Sequence, residues 1–231
     1  MENETEGLPE QQAIVSHYFP LMIVLIVFVM AVGGGALFLH LRMPPARSTT
    51  ALGSPGAQPP HVLGNAKARV QLEQFEDFQC ANCAGLEPEF KKIEQDYGAK
   101  LQIIFREFPL PNHEHAMAAA QAAEAGGLQN RFWEMHDRLF QNVWMWRKAP
   151  NPQLVFEEFA KNVGLDVERF KKDVASDVVK ARIAADQERA TSLGVSETPA
   201  LIINDRRLPN SALNAQGIRA AIDAALTPKS H

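Results

Sequence analysis

The chain has 231 residues, of which 46% are hydrophobic and 22% are charged, and this composition is ordinary for a globular protein with one substantial core. The formal net charge of −4 lies entirely in residues 1–41, which hold four glutamates and no lysine or arginine. The remainder is neutral and gives no sign of the basic patch that nucleic-acid binding needs, so no nucleic-acid partner is expected. Two cysteines are too few for a disulfide framework.

The first apolar segment, residues 21–39, contains no charged side chain. A helix of that length, at about 1.5 Å per residue, matches the hydrocarbon thickness of a bilayer. We therefore expect residues 20–41 to form a single transmembrane anchor in the lipid bilayer, after a short acidic tail at residues 1–19. A cleavable signal peptide fits less well, because its first part should be basic and this one is acidic.

The orientation of this anchor is contested by the residues that follow it. Arg42 and Arg47 come after the apolar segment, and no lysine or arginine precedes it. The positive-inside rule would therefore keep the following domain in the cytoplasm, although large domains can be translocated despite such charges. Residues 42–66 are rich in proline and glycine, and this composition predicts an extended linker.

From residue 67 to residue 227, strand-like and helix-like segments alternate as in a single mixed α/β domain, and residues 228–231 form a tail. Two short apolar runs, residues 70–75 and 101–105, predict strands. The helical spacing of apolar residues between them, with a stop at Gly98, predicts a helix. A right-handed crossover makes the two strands parallel neighbours.

A long helical region follows at about residues 111–190, and it is too large for a simple crossover connection. Glycines and prolines divide it into several helices, so it predicts a helical insertion into the domain. Beyond it, residues 198–205 and 206–208 predict a β-hairpin. A final helix at about residues 214–225 closes the domain.

Cys80 and Cys83 form a C-x-x-C pair directly after the first predicted strand, and three roles are open to them. A disulfide that closes so short a loop would contribute only about 2 kcal/mol in the chain-entropy treatment. A metal site would need further ligands, yet no second C-x-x-C and no zinc-binding spacing of histidines occurs, since His113 and His115 are only two positions apart.

A redox-active dithiol is the role that has positive support. Cys80 would lie at the N-terminus of a helix, where free backbone N–H groups and the helix dipole stabilise a thiolate. Cys80 would then be the exposed nucleophile, and the more buried Cys83, one turn later, would resolve the mixed disulfide. A C-x-x-C pair that opens a βαβ unit favours this interpretation strongly.

The segment QFEDFQCANCAGL resembles the active-site segment of DsbA-type thiol:disulfide oxidoreductases, which often read EFSDFQCPYC. Further matches to this family follow in the same order along the chain, namely REFPL, NRFWEMHDRLFQN and LGVSETPALIIN. The resemblance covers about residues 66–226. The chain is thus similar to a membrane-anchored member of this family.

The resemblance implies a thioredoxin fold with an inserted helical subdomain, preceded here by one N-terminal transmembrane helix. It implies that Cys80 and Cys83 are catalytic and that Pro199 follows a cis peptide bond beside them. Thr198 and Pro199 would present backbone groups to a bound peptide substrate, in short strand-like pairing. No cofactor and no metal are implied.

The function implied is that of a dithiol oxidase in oxidative protein folding, with cysteine-containing proteins as substrates and a quinone-coupled membrane protein as the redox partner. Because such pairs work in oxidising compartments, the catalytic domain is expected on the periplasmic side of the cytoplasmic membrane. A disulfide reductase or isomerase, for example in cytochrome maturation, is an alternative. Another is a Cu(I)-binding thioredoxin-like module, which Met117 or Met135 could assist.

The chain departs from the family pattern around the cysteines. Ala81 and Asn82 lie between them, where the strongest oxidases carry a histidine that helps to stabilise the thiolate. Gln74 takes the place of an acid that accepts a proton from the resolving thiol, so another group, such as a water, has to serve Cys83. Glu76 and Asp77 lie just upstream, and their negative charge is expected to oppose a thiolate. These departures leave the redox strength open.

Overall fold

A computed structural model describes residues 53–227 of the chain. The predicted transmembrane anchor at residues 20–41, and the tails at residues 1–19 and 228–231, lie outside the described residues. Within residues 53–227, no helix has both the length and the apolar character needed to cross a membrane.

The described residues form one five-stranded mixed sheet of β1 His61–Gly64, β2 Val70–Glu76, β3 Leu101–Glu107, β4 Ala200–Ile203 and β5 Arg206–Arg207. The order of the strands across the sheet is β1–β3–β2–β4–β5. The predicted parallel pairing is confirmed for β2 and β3, and the remaining neighbours are antiparallel. The two central strands are buried along most of their length, as is usual for parallel strands that are covered on both faces.

Eight α-helices occur within residues 53–227, and six of them make up the predicted helical insertion between β3 and β4. Several begin at a residue whose side chain accepts a hydrogen bond from the first turn, as Asp166, Ser176 and Asn214 do. The helices are α1 Ala81–Tyr97, α2 Ala116–Gly127, α3 Phe132–Gln141, α4 Val143–Trp146, α5 Pro152–Asn162, α6 Val167–Val174, α7 Asp177–Ser192 and α8 Ala215–Leu226.

Two main hydrophobic cores hold these layers together. One lies between the sheet, α1 and α8, and includes Phe90 and Ile222. The other lies mainly within the helical insertion and reaches the sheet at Phe105 and the active-site helix at Cys83. Helix α2 buries a face made almost entirely of alanine, so α3, α6 and α7 pack closely against it. The insertion is therefore anchored to the same helix that carries the cysteines.

Residues 53–66 do not form the linker that was expected of residues 42–66. Within this segment β1 pairs with β3, and Trp133 Nε1 donates to the carbonyl oxygen of Val62 at 3.1 Å. Arg106 Nη1 also donates to the carbonyl oxygen of Ala57 at 3.0 Å. Buried guanidinium groups need several acceptors, and the backbone carbonyls of this segment supply them. The folded domain therefore begins before residue 67.

Candidate active site

The two cysteines occupy the junction between β2 and α1. Cys80 is the N-cap of α1, with extended backbone, and Cys83 lies in the first turn, as predicted. Asp77 fixes the intervening turn, since its carboxylate accepts hydrogen bonds from the backbone N–H groups of Gln79 at 2.7 Å and Leu110 at 2.8 Å. The carboxylate of Asp77 is thus engaged by the loop.

The two cysteines differ less in solvent exposure than expected. Cys83 is fully buried, and Cys80 is only 6% exposed, although it was expected to be the exposed member of the pair. Cys80 nevertheless remains the more accessible of the two cysteines, since Cys83 is 0% exposed. Both cysteines are free thiols.

The environment shifts the two thiol pKa values in opposite directions. The pKa of Cys80 falls to about 5, chiefly because the Cys83 thiol donates a hydrogen bond to its sulfur, with Thr198 and two backbone N–H groups helping against the effect of burial. The pKa of Cys83 rises well above its ordinary value, mainly because of burial and then because of its interaction with Cys80 and Glu76. At neutral pH the pair is therefore one thiolate nucleophile and one thiol, as a thiol-exchange centre requires.

Thr198 and Pro199 lie beside the cysteines, as predicted, although 118 positions separate Thr198 from Cys80. The peptide bond between Thr198 and Pro199 is cis, which confirms the expectation. The sulfur of Cys80 lies 3.5 Å from the carbonyl oxygen of Thr198. A cavity of about 410 Å³ opens here, and its lining residues are Ala81, Asn82, Gly85, Leu86, Glu197, Thr198, Pro199, Asn210 and Leu213.

Glu76 is a residue whose burial the sequence did not reveal. It is fully buried at the end of β2, and burial followed by the nearby Glu87 and Cys80 raises its pKa well above the usual range. The repulsion expected between Glu76 and the Cys80 thiolate is one cause of this raised pKa, and Glu76 likewise raises the pKa of Cys83. Gln74 lies two residues earlier, and side chains two apart in a strand share a face. The sequence did contain a signal for the position of the acid, because QFEDFQC has its glutamate two positions later than EFSDFQC does.

A short chain of titratable side chains continues from Glu76 toward the surface. Glu87 lies on α1, and its Oε1 atom is 3.8 Å from Nε2 of His136 on α3. Nδ1 of His136 is 3.2 Å from Oδ1 of Asp137, whose Oδ2 pairs with Lys91 at 2.6 Å. Of these residues, Glu87, His136 and Asp137 were not singled out in the sequence.

Glu87, His136 and Asp137 offer possible metal-ligand atoms within 4.8 Å of one another. The geometry fits an ion-pair chain better than a metal site, because the two ring nitrogens of His136 face different carboxylates and Lys91 already neutralises Asp137. Of the methionines considered for copper, Met135 is fully buried in the core of the insertion, whereas Met117 is 43% exposed.

The fold and the dithiol define a thioredoxin-like thiol-disulfide oxidoreductase with a helical insertion. A family model described as thioredoxin matches residues 57–224. The chain belongs to the thioredoxin family. The matched range begins ten residues before the domain start expected from composition, in agreement with the packing of residues 53–66.

Curated relatives and solved structures extend this assignment. The Na⁺/H⁺ antiporter NhaA 1 of Salinispora arenicola is 33% identical over 199 residues, which make up 81% of this chain but only 29% of that protein. The chain thus spans less than a third of the length of this relative.

Three crystal structures share the fold. A thioredoxin-like oxidoreductase from Silicibacter pomeroyi is 25% identical with a TM-score of 0.61, covering 72% of this chain and 92% of that one. The thiol-disulfide exchange protein alpha-DsbA2 from Wolbachia pipientis is 23% identical with a TM-score of 0.63, covering 73% and 87%. A periplasmic thioredoxin-like protein from Salmonella enterica is 22% identical with a TM-score of 0.57, covering 72% and 90%.

Proposed function

We propose that the protein is a membrane-anchored thiol:disulfide oxidoreductase that oxidises cysteine pairs in proteins outside the cytoplasm. The observation that carries this proposal is the C-x-x-C pair at the N-terminus of α1, where the sulfur of Cys80 lies 3.5 Å from the carbonyl oxygen of Thr198 and Cys83 is fully buried. A stabilised thiolate is a good leaving group, so the Cys80–Cys83 disulfide would be readily reduced by substrate thiols.

The reaction proceeds by two exchanges at sulfur. A substrate thiolate attacks Cys80 Sγ of the Cys80–Cys83 disulfide, the new S–S bond forms, and Cys83 leaves with the electron pair and takes up a proton. A second substrate thiolate then attacks the substrate sulfur of the mixed disulfide, and Cys80 leaves as a thiolate. Two electrons pass from the substrate to the enzyme, and an oxidant such as a quinone-coupled membrane protein must remove them.

The cavity beside Cys80 is the proposed binding site for the substrate peptide. Thr198 lines this cavity, and its backbone groups would pair with an extended peptide in the manner of an added β-strand. Asn82 and Glu197 line the same opening, so the peptide would meet polar side chains as well as Pro199.

The anchor at residues 20–41 and the periplasmic placement of the domain are part of this proposal. The Salmonella protein with the same fold is described as periplasmic, and the Salinispora relative is described as an antiporter, which is a membrane protein. The first description supports a domain outside the cytoplasm, against the orientation suggested by Arg42 and Arg47, and the second supports attachment to a membrane. An alkaline phosphatase fusion at the C-terminus tests this placement: an active fusion supports it, and an inactive fusion with an active cytoplasmic reporter overturns it.

The net direction of electron flow distinguishes an oxidase from the alternative reductase or isomerase. A thiolate pKa of about 5 for Cys80 lies between the values of about 3.5 for DsbA and about 7 for thioredoxin. The reduction potential decides between them: a value of about −120 mV favours an oxidase, and a value of about −270 mV favours a reductase. Stoichiometric Cu(I) binding by a protein without exchange activity would support the copper module instead.

The direct test is the activity of the full chain in detergent with a reduced, unfolded substrate protein. Cys80→Ala should abolish disulfide transfer, because no nucleophile or leaving group remains at the reacting position. Trp144→Ala, at an exposed residue away from the cysteines in sequence, serves as the matched control for handling and folding. Full activity of Cys80→Ala would remove Cys80 from the mechanism and overturn the proposal.

A further inference from the structure

The substrate cavity beside Cys80 contains a charged side chain that the proposed reaction does not use. Among the described residues that line this cavity, only Glu197 carries a charged side chain. Glu197 directly precedes Thr198, whose carbonyl oxygen lies 3.5 Å from the sulfur of Cys80. A carboxylate is therefore held one residue away from the backbone group that a substrate peptide would meet.

The carboxylate of Glu197 is fixed at the border of this cavity. Asn210, which lines the same cavity, donates a hydrogen bond from Nδ2 to Oε1 of Glu197 at 2.6 Å. The side chain of Glu197 is nevertheless 56% exposed, and its Oε2 atom makes no hydrogen bond within residues 53–227. One carboxylate oxygen is thus used by the protein, and the other is open to a ligand in the cavity.

Arg207 is the cationic residue that faces Glu197, but it does not occupy the carboxylate. Its Nη2 atom is 3.8 Å from Oε1 of Glu197, which is beyond hydrogen-bond distance. The Nη1 atom of Arg207 donates instead to the carbonyl oxygen of Gly194 at 2.8 Å, and Arg207 lines a different cavity, of about 540 Å³. The charge of Glu197 is therefore only partly compensated on the side where the substrate binds.

The charge of Glu197 acts on substrate in the oxidised form of the enzyme. Neither sulfur of the Cys80–Cys83 disulfide is charged, so Glu197 supplies the negative charge among the described residues that line the cavity. In paired strands, side chains that are directly or diagonally opposite lie within about 5–8 Å of each other. A lysine or arginine side chain close to the substrate cysteine is long enough to reach Glu197 across that distance.

We propose that Glu197 makes the enzyme select substrates in which a lysine or arginine lies within two residues of the reacting cysteine. The ammonium or guanidinium group of that residue donates to the free Oε2 atom of Glu197 while the peptide backbone pairs with Thr198. Substrates with aspartate or glutamate at the same positions meet a like charge and are disfavoured. This inference rests on the proposed function and names the substrate class of the same site.

The test uses the oxidised full chain in an uncharged detergent and three reduced peptides that differ only in charge. Each peptide has two cysteines, and lysine, glutamine or glutamate flanks both of them on either side. The second-order rate constant for formation of the peptide disulfide is measured in single turnovers, for the unchanged protein and for Glu197→Gln. Because each peptide is compared between two proteins, differences in the reactivity of the peptide thiols cancel.

Relative to the glutamine peptide, Glu197→Gln should slow the lysine peptide by about 2- to 5-fold and speed up the glutamate peptide by a similar factor, since exposed ion pairs are worth about that much. Glutamine keeps the acceptor for Asn210, so a merely structural role of Glu197 would leave these ratios unchanged. Glu197→Lys should reverse the preference. The differences should shrink in about 1 M salt, where the Debye length is only about 3 Å. A preference that survives Glu197→Lys would overturn the inference.

Glu134→Gln is the matched control, since it removes the same charge from an exposed residue of α3 that does not line the cavity. Its three rate constants should keep the proportions found for the unchanged protein. Loss of the preference in this variant as well would mean that net charge selects the substrate, and this result would overturn the inference. If the glutamine peptide is oxidised and Glu197→Gln changes all three rate constants by one factor, only the selection by Glu197 fails. If the unchanged protein oxidises none of the peptides, the proposed function itself fails.

Discussion

Glu73 and Arg189 form a two-contact ion pair between β2 and α7, with Nε to Oε1 at 2.6 Å and Nη2 to Oε2 at 2.7 Å. Arg106 on β3 also donates to Glu73 through Nε at 2.7 Å. All three side chains are at most 7% exposed. One buried carboxylate thus holds two guanidinium groups and links the central strands to the helical insertion.

Glu73→Ala should therefore destabilise the protein strongly. Removing one partner leaves buried charge uncompensated, which typically costs about 3–5 kcal/mol. The loss is measured as a shift in the urea midpoint at an unchanged m-value. Glu134→Ala is the control, since Glu134 forms an exposed pair with Arg131, and it should cost less than about 1 kcal/mol. Equal losses for the two variants would contradict this role of the buried network.

The same arginines predict where the folded domain begins. Arg189 Nη1 donates to the carbonyl oxygen of Ser54 at 2.8 Å, and Arg106 donates to Ala57. A fragment of residues 67–227 lacks these acceptors and β1, whereas a fragment of residues 53–227 keeps them. We expect the shorter fragment to unfold at lower urea concentration or to remain unfolded. Equal midpoints would show that residues 53–66 contribute nothing to stability.

The thiolate of Cys80 should be visible in titration. The ultraviolet absorbance of the reduced protein should rise with increasing pH, with a midpoint at about pH 5, the pKa expected for Cys80. In the disulfide form and in Cys80→Ala this transition should be missing. A midpoint near about 8.5, the value of a free cysteine, would contradict the stabilised thiolate.

A pKa of about 5 for Cys80 also links stability to pH. This pKa lies below the value of about 8.5 that a cysteine has in the unfolded chain. The thiolate of Cys80 therefore stabilises the reduced protein fully at pH values above about 8.5. This contribution is lost as pH falls toward 5. The oxidised protein has no thiol to titrate there, so the stability of the reduced form relative to the oxidised form should decrease between about pH 8.5 and pH 5. Urea midpoints of the two forms across this range provide the measurement.

Cys83→Ser should trap the enzyme on its substrate. Cys80 can still attack a substrate disulfide, but without Cys83 no internal thiol releases the mixed disulfide. Covalent complexes sensitive to a reductant should accumulate on non-reducing gels, and they should be absent from the variant that lacks both cysteines. Rapid turnover by Cys83→Ser would mean that another group resolves the intermediate.

Local sequence patterns were sufficient to predict the secondary structure around the cysteines. The strand that precedes Cys80, the helix that follows it and the parallel partner β3 are encoded by short-range periodicity and one crossover rule. The position of Thr198 beside Cys80 could be expected only from the resemblance, because 118 residues separate them.

The electrostatics of the site could not be predicted in this way. Glu76 looks like a charged neighbour in the sequence, and its burial depends on how α1 and the insertion cover the end of β2. His136 is one histidine among seven in the chain, and only the packing of α3 against α1 brings it near Glu87. Docking of residues 53–66 likewise depends on buried arginines that are distant in sequence.

Two helical glycines should respond to alanine in opposite directions. At Gly217 in α8, an added Cβ would lie 2.5 Å from the carbonyl oxygen and 2.8 Å from the Cα of Ala212, in the turn that precedes the helix. Backbone atoms cannot rotate away, and the N–H of Gly217 also bonds to the capping side chain of Asn214 at 3.0 Å. At Gly85 in α1, no atom outside the helix lies within 4 Å of the added Cβ.

Gly217→Ala should therefore cost about 1–3 kcal/mol through overpacking, whereas Gly85→Ala should gain about 0.5–1 kcal/mol from reduced flexibility of the unfolded chain and better helix propensity. Urea unfolding of the two variants under identical redox conditions measures both effects. Both changes add one methyl group to a helix. A difference in the sign of their effects on the free energy of unfolding is therefore due to the close contact with Ala212. Stabilisation by both substitutions would show that the turn before α8 yields freely.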